Sequence, residues 1–135
     1  MEYFLVGIGG IFGSITRYSL GKSIGKVWNK TFPIGTFIIN ITGAMLLGIV
    51  TALVKNNTLY SFLGDGILGG YTTFSTFMYE GFSLFKGKEK LNAVIYMMLS
   101  ILIGIIFYAL GFNLGKVVKG WGIIWNYIFF MQAQK

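Results

Sequence analysis

The chain has 135 residues, of which 55% are hydrophobic and only 11% are charged, and its formal net charge is +7. This composition excludes a water-soluble globular domain, because the polar residues are too few to cover a surface in water, whereas lipid accepts an apolar exterior. Cysteine and histidine are absent, which excludes disulfides, thiolate or imidazole catalysis and the usual zinc sites. The lysines fall between the apolar runs, as they do in membrane proteins, so the positive charge does not indicate nucleic-acid binding.

Four apolar stretches are long enough to cross a membrane, since a helix needs about 20 mostly apolar residues to span the hydrocarbon core. We predict an all-α membrane protein with four transmembrane helices at residues 3–21, 33–54, 60–85 and 91–115, which form one domain over residues 1–119. The loop and terminal lysines divide four to six between the two sides of the membrane. This weak bias specifies the orientation poorly, and it is compatible with insertion in both orientations and with an antiparallel dimer.

Residues 120–135 form a separate C-terminal tail in this prediction. The stretch from Trp121 to Met131 is apolar and aromatic, but it has only about half the length that a membrane span requires. Because tryptophan and tyrosine favour the interface between membrane and water, we expect the tail to lie there.

Two polar residues stand out in the first two predicted spans. Arg17, the only arginine, lies near the end of the first span, where it is either a positive residue of a pore vestibule or an anchor that reaches the interface. Asn40 is the only large polar residue of the second span. Its NH2 group is either a hydrogen-bond donor to a neighbouring helix or a donor to a dehydrated anion.

The third predicted span contains the segment GGYTTFSTF at residues 69–77. Glycine is unfavourable inside a helix, and serine and threonine can bond local backbone groups, so we expect this helix to break near the bilayer centre. The freed backbone groups must then face protein, water or an ion. The alternative is close packing of small residues, with the hydroxyls bonded back to the helix. Glu80, about one turn after Phe77, is a candidate partner for a neighbouring donor.

The fourth predicted span carries polar or small residues at every fourth position. This spacing places them on one helix face, as a polar stripe along an apolar helix. The stripe predicts a pore lining, a dimer seam, or both if a pore runs along the seam. Its members are Asn92, Tyr96, Ser100, Gly104 and Tyr108.

Three segments carry a resemblance to a known family. They are residues 9–18 (GGIFGSITRY), 33–43 (PIGTFIINITG) and 69–77 (GGYTTFSTF). With these segments, in this order, the chain resembles the Fluc/CrcB family of microbial fluoride channels over roughly residues 4–116. The resemblance implies a fluoride-selective channel of the inner (plasma) membrane, through which toxic fluoride leaves the cell passively. It also implies an antiparallel, dual-topology dimer with two pores, each built from both subunits.

The resemblance implies roles for individual pore residues. Phe74 and Phe77 match the pair of pore phenylalanines, whose positively polarised ring edges can face an anion. Asn40 matches the pore asparagine, and its NH2 group can replace water around fluoride. Thr76 and Ser75 are second candidates for contact with the ion.

Further implied roles concern the fourth span and a metal ion. Tyr96 and Ser100 match the start of a hydroxyl track, whereas Gly104 stands where another hydroxyl is expected. The resemblance also implies a structural sodium ion at the dimer centre, held by the backbone carbonyls of Gly69 and Thr72. Carbonyls freed by a helix break need a partner, and hard cations prefer oxygen ligands.

Other classes of protein fit the residues less well. A small multidrug exporter needs a carboxylate within its first span, but Glu2 precedes that span. An assembly subunit would use small-residue contacts such as Gly9 with Gly13 and Gly111 with Gly115, yet it leaves the phenylalanine and hydroxyl pattern unexplained. An enzyme is the least favoured class, since no histidine or cysteine is present to act as base or nucleophile. The dimer partner is a second copy of the chain or a related subunit, and the nearly balanced lysines favour the second copy.

Overall fold

A computed structural model describes residues 2–27 and 32–133, with side chains at residues 2–25 and 32–122. Every element in these two ranges is a helix. The elements are α1 (Glu2–Val27), α2 (Ile34–Leu53), α3 (Asn57–Tyr60), a π-helical segment (Ser61–Leu68), α4 (Gly69–Tyr71), α5 (Phe74–Lys86) and α6 (Lys90–Ala133). The segments from α3 to α4 follow each other without interruption and are called the first half-helix, and α5 is called the second half-helix.

α2 packs mainly along α6, and α1 packs mainly along the first half-helix. α2 begins directly after Pro33, whose fixed φ suits the start of a helix. The buried core beside α2 contains Ile39, Leu68 and Tyr71. Many large apolar side chains of α1 and α6 are exposed on the outside of the chain, as expected for helices that face lipid.

Glycines allow the helix backbones to approach each other closely. Gly9 and Gly13 of α1 pack against backbone atoms of the first half-helix. Gly111 and Gly115 of α6 pack against α2, and Gly48 of α2 faces α6 in return. Such contacts are common between membrane helices, which associate through close packing without a hydrophobic driving force. The two glycine pairs that an assembly subunit would use are therefore engaged within a single chain.

Among the described residues, two helices are long and apolar enough to cross a membrane, namely α2 and the part of α6 that ends at Gly122. They coincide with the spans predicted at residues 33–54 and 91–115. The other two predicted spans coincide with α1 and with the pair of half-helices, which do not meet both criteria. The all-helical prediction is confirmed for the described residues, and four membrane crossings stay a prediction.

α6 continues past residue 119 to Ala133 without interruption. The predicted start of the C-terminal tail is therefore not the end of a helix. The side chains of residues 123–133 and the whole of residues 134–135 lie outside the described part of the chain. The interfacial position of the tail stays a prediction.

Candidate functional site

Two extended residues separate the two half-helices. The first half-helix ends at Tyr71 and the second begins at Phe74. Between them, Thr72 (φ −77°, ψ 162°) and Thr73 (φ −146°, ψ 124°) are extended. Both lie within the segment for which the sequence predicted an interruption. Gly69 is itself helical (φ −63°, ψ −39°), so threonines, and not glycines, occupy the extended positions.

Threonine hydroxyls complete the helix ends on both sides of these residues. The Thr72 N–H and Oγ1 both donate to the Leu68 carbonyl, each at 2.9 Å. Thr73 Oγ1 accepts from the Thr76 N–H at 3.3 Å, as the side chain of an N-cap residue does. Thr73 Oγ1 also donates to Thr76 Oγ1 at 3.0 Å and lies 3.4 Å from Ser75 Oγ. Thr76 and Ser75, the second candidates for ion contact, are therefore close to the cap of α5.

Asn40 of α2 holds Thr73 at both of its backbone groups. Asn40 Nδ2 donates to the Thr73 carbonyl at 2.9 Å, and the Thr73 N–H donates to Asn40 Oδ1 at 2.8 Å. The side-chain amide thus replaces the helical partners that Thr73 lacks in its extended conformation. An NH2 group has two donors, so one N–H of Asn40 is left for a ligand.

Arg17 and Tyr71 make two further hydrogen bonds next to Thr73. Arg17 Nη1 donates to the Thr72 carbonyl at 3.1 Å, and the hydroxyls of Tyr71 and Thr42 are 2.9 Å apart. Each of the three consecutive residues from Tyr71 to Thr73 is therefore bonded to a side chain of α1 or α2. Arg17 faces the carbonyl end of the first half-helix, where the helix dipole favours a positive charge.

A hollow of about 600 Å³ opens beside these hydrogen bonds. Phe77 forms a buried part of its wall and is 7% exposed, whereas Phe74 is 74% exposed. The centroids of the two phenyl rings are 6.2 Å apart and the ring planes are inclined by 44°. Asn40, Gly69 and Thr72 line the same hollow. The chain thus brings five of the predicted site residues together around one open space.

Glu80 accepts hydrogen bonds from two other helices. Thr36 Oγ1 donates to Glu80 Oε1 and the Tyr96 hydroxyl donates to Glu80 Oε2, each at 2.9 Å. The prediction that Glu80 is a partner for neighbouring donors is confirmed. Tyr96 is 0% exposed, and the centroid of its ring is 5.3 Å from that of Phe77. The single hydroxyl proton of Tyr96 therefore goes to a carboxylate, and its ring packs against Phe77 without lining the hollow among the described residues.

The polar stripe predicted along α6 divides among different partners. Ser100 Oγ donates to the carbonyl four residues earlier at 2.7 Å, so it is tied to its own helix. Asn92 Nδ2 donates to Glu89 Oε2 at 2.6 Å. Gly104 faces α2, and Tyr108 stacks on the next aromatic residue of α6. None of these side chains lines the hollow in the described part of the protomer.

A second cavity has a volume of about 560 Å³ and also reaches Thr73. It is lined by Arg17 and Thr76, together with Glu80 and Lys22. The hollow and this cavity share Thr73 as a wall residue. The predicted vestibule residue Arg17 is thus in an open cavity and at the same time bonded to the backbone between the half-helices.

Three residues to which the sequence analysis assigned no role belong to the site. Thr36 bonds Glu80, Thr42 bonds Tyr71, and Asp65 lines the hollow. A carboxylate inside an apolar segment is a signal that could have identified Asp65. The roles of Thr36 and Thr42 depend on which helices pack together, and a single sequence does not contain that information directly.

Comparison with known proteins places these residues in a family. A family model described as "CrcB-like protein, Camphor Resistance (CrcB)" matches residues 4–112. The chain is 58% identical to the fluoride-specific ion channel FluC 2 of Clostridium acetobutylicum, over 88% of this chain and 98% of that protein. It is 38% identical to the fluoride-specific ion channel FluC 1 of Carboxydothermus hydrogenoformans, over 89% of this chain and 98% of that protein.

A third relative, the fluoride-specific ion channel FluC 2 of Bacillus cereus, is 42% identical over 87% of this chain and 99% of its own length. The three sequence segments that carry the resemblance all lie within the residues matched by the family model. Because that match covers most of the chain and the relatives match over nearly their whole length, the chain belongs to the CrcB-like protein family.

Proposed function

We propose that the chain is one subunit of a fluoride-selective channel through which fluoride leaves a microbial cell passively. The observation that carries this proposal is the hollow in which Asn40, Phe74 and Phe77 meet beside the extended residues. The names of the relatives, each a fluoride-specific ion channel, support the choice of ion. We also propose that the channel lies in the inner (plasma) membrane.

The chemistry of the hollow suits a small and strongly hydrated anion. A pore that accepts fluoride must replace its water with other donors, and the free N–H of Asn40 is one such donor. The edges of the Phe74 and Phe77 rings are the positive ends of their quadrupoles. Together they offer an anion weak positive contacts beside the Asn40 donor.

The open side of the hollow supports a dimer. Phe74 is 74% exposed at the edge of the hollow, so a pore there needs a second wall. We propose that a second copy of the chain, or a related subunit, supplies this wall in an antiparallel, dual-topology dimer with two pores. The four-to-six division of lysines supports insertion in both orientations. An assembly-only subunit is less well supported, because its glycine contacts are used within the chain.

The backbone beside the hollow suits a structural sodium ion at the dimer centre. The Thr73 N–H bonds to Asn40, so the Gly69 carbonyl lacks the donor that a continuous helix would provide. The Thr72 carbonyl accepts from Arg17 and keeps a second lone pair. Gly69 and Thr72 would hold the ion through these oxygens, and its charge would attract an anion nearby.

The proposal is tested by fluoride efflux from liposomes that contain the purified protein, read with a fluoride electrode, with chloride efflux measured in parallel. We expect rapid fluoride release with negligible chloride release. Phe74→Ile and Phe77→Ile should each abolish or strongly reduce fluoride release while the dimer stays intact, because the aliphatic side chain has no positive ring edge.

Phe12→Ile is the matched control, since Phe12 is an exposed phenylalanine of α1 that does not line the hollow. Its fluoride release should equal that of the unmodified protein. Full release in both hollow variants would refute the pore assignment. No release from a folded dimer of the unmodified chain would mean that a related subunit is required or that the proposed ion is wrong.

A further inference from the structure

α6 is longer than the membrane that it crosses. Its residues Lys90–Ala133 extend over about 66 Å, whereas the hydrocarbon core is about 30 Å thick. Gly115 packs against Ala52, and Lys119 Nζ donates to the Ala52 carbonyl at 3.4 Å. Because α2 ends at Leu53, α6 passes the end of its neighbour at Lys119.

From Gly120 to Gly122, α6 has open space beside it among the described residues. A Cβ atom at Gly120 or Gly122 would meet nothing within 4 Å, and Trp121 is 64% exposed. The sequence from Trp121 to Met131 contains no charged residue, and nine of its eleven residues are apolar or aromatic. The helix beyond Lys119 is about 21 Å long, which is too short for a second crossing and too apolar to project into water.

The residues at the exit from the membrane are suited to a change of direction. Gly120 and Gly122 flank a single exposed residue at the position where α6 loses its contacts, and glycine weakens a helix and is a frequent site of kinks. Lys116 and Lys119 come just before them, and lysines at helix ends favour the depth of the lipid headgroups. Two lysines, a pair of helix-weakening glycines and an aromatic segment thus follow one another along α6 at the membrane surface.

We propose that α6 bends at Gly120–Gly122 and that the helix beyond it lies along the headgroup region of the bilayer, where it contacts lipid and not another protein. Tryptophan, tyrosine and phenylalanine are enriched at this depth, because an interfacial helix buries apolar groups and leaves its polar edge in water. The family model ends at residue 112. The proposed lipid contact therefore lies outside the residues that the family model matches, and it does not depend on which ion the channel conducts.

The absence of cysteine makes this proposal directly testable. Single cysteines are introduced from Trp121→Cys to Met131→Cys, labelled with a nitroxide, and reconstituted into vesicles of phosphatidylcholine and phosphatidylglycerol. The accessibility of each label to oxygen and to a water-soluble nickel complex is then measured. We expect the ratio of the two accessibilities to oscillate with a period of about 3.6 residues, as for a helix in the interface plane.

Two results would overturn the lipid contact. Uniform access of the nickel complex at all positions would mean that the helix projects into water, and protection from both reagents would mean that it packs against protein. The hinge is tested with Gly120→Ala and Gly122→Ala combined, which should reduce the amplitude of the oscillation several-fold. Gly7→Ala, at another glycine with open space around it, should leave it unchanged. An equal oscillation in the double variant would refute the hinge.

Discussion

At the scale of single residues, most hydrogen-bonding groups of the polar side chains in the site are used for bonds within the protein. Few donors are left for an ion. Asn40 uses its carbonyl and one N–H to hold Thr73, and Tyr96 gives its hydroxyl proton to Glu80. Arg17 is bonded to the Thr72 carbonyl. These bonds fix the walls of the hollow, so a substitution at any of these positions changes the shape of the site as well as its chemistry.

Asn40→Asp should abolish fluoride efflux and also destabilise the fold. The aspartate can still accept from the Thr73 N–H, but it cannot donate to the Thr73 carbonyl, and its charge repels an anion. Leaving that carbonyl unpaired should cost about 1–3 kcal/mol of unfolding free energy. Efflux and thermal unfolding are measured in the same preparation, with Asn113→Asp as the control, because exposed Asn113 bonds only to its own helix in the described part of the chain. Undiminished efflux in the Asn40 variant would count against its role.

Tyr96→Phe should lower the unfolding free energy by about 1.5–3 kcal/mol, because it removes a hydrogen bond to a carboxylate and leaves Glu80 Oε2 unpaired. The phenyl ring keeps its contact with Phe77, so the loss reports on the hydroxyl alone. Combining it with Thr36→Val in a double-mutant cycle measures the coupling of the two donors through Glu80. Tyr3→Phe, at an exposed tyrosine, is the control, and an equal loss there would show that the effect is not specific to Glu80.

At the scale of elements, the positions of the helices and of the extended residues could be predicted from apolar length and from the run of glycine, serine and threonine. The helix ends could not be placed closely, because the first half-helix includes a π-helical segment and α6 continues to Ala133. The stripe on α6 stays a prediction of a pore lining or a dimer seam, and within the chain its residues meet different partners, as Ser100 does when it bonds its own helix. Helical spacing places residues on one face, but it does not specify which neighbour each residue meets.

Gly13→Val should force α1 away from the first half-helix. A Cβ at position 13 would press against the Ile67 carbonyl and lie 2.7 Å from the Tyr71 N–H, and both are backbone atoms that cannot rotate away. Overpacking of this kind costs about 1–3 kcal/mol, so we expect a lower melting temperature and less dimer in size-exclusion chromatography. Gly7→Val, where the position is open, should behave like the unmodified protein. Equal stability of both variants would contradict the close contact.

At the scale of the whole molecule, the family was recognised correctly from three short segments, because they contain the glycines and polar groups that shape the site. The relatives are named ion channels, which confirms the prediction that the chain is not an enzyme. The number of crossings and the partner subunit stay predictions. They depend on the membrane and on a second chain, and the structure of one chain includes neither.

Dual topology predicts that each loop is found on both sides of the membrane. Lys55→Cys and Lys86→Cys place single cysteines at exposed positions of loops on opposite sides of the predicted arrangement. In intact cells, a membrane-impermeant maleimide should label a similar fraction of each variant, and the remainder should react only after the membrane is opened. Complete labelling of one variant and none of the other would indicate a single orientation and would contradict the antiparallel dimer.

The hydrogen bonds that join Tyr71, Thr72 and Thr73 to side chains of α1 and α2 also bear on the order of assembly. All three side chains come from α1 and α2 of the same chain, so the extended segment is held without any contact from a second subunit. The conformational entropy of this segment is lost when each chain folds. Ordering it therefore does not reduce the free energy of association of two chains. In the proposed antiparallel dimer, two chains would therefore pair with this segment already folded, and their rate of pairing should depend on diffusion in the bilayer more than on refolding.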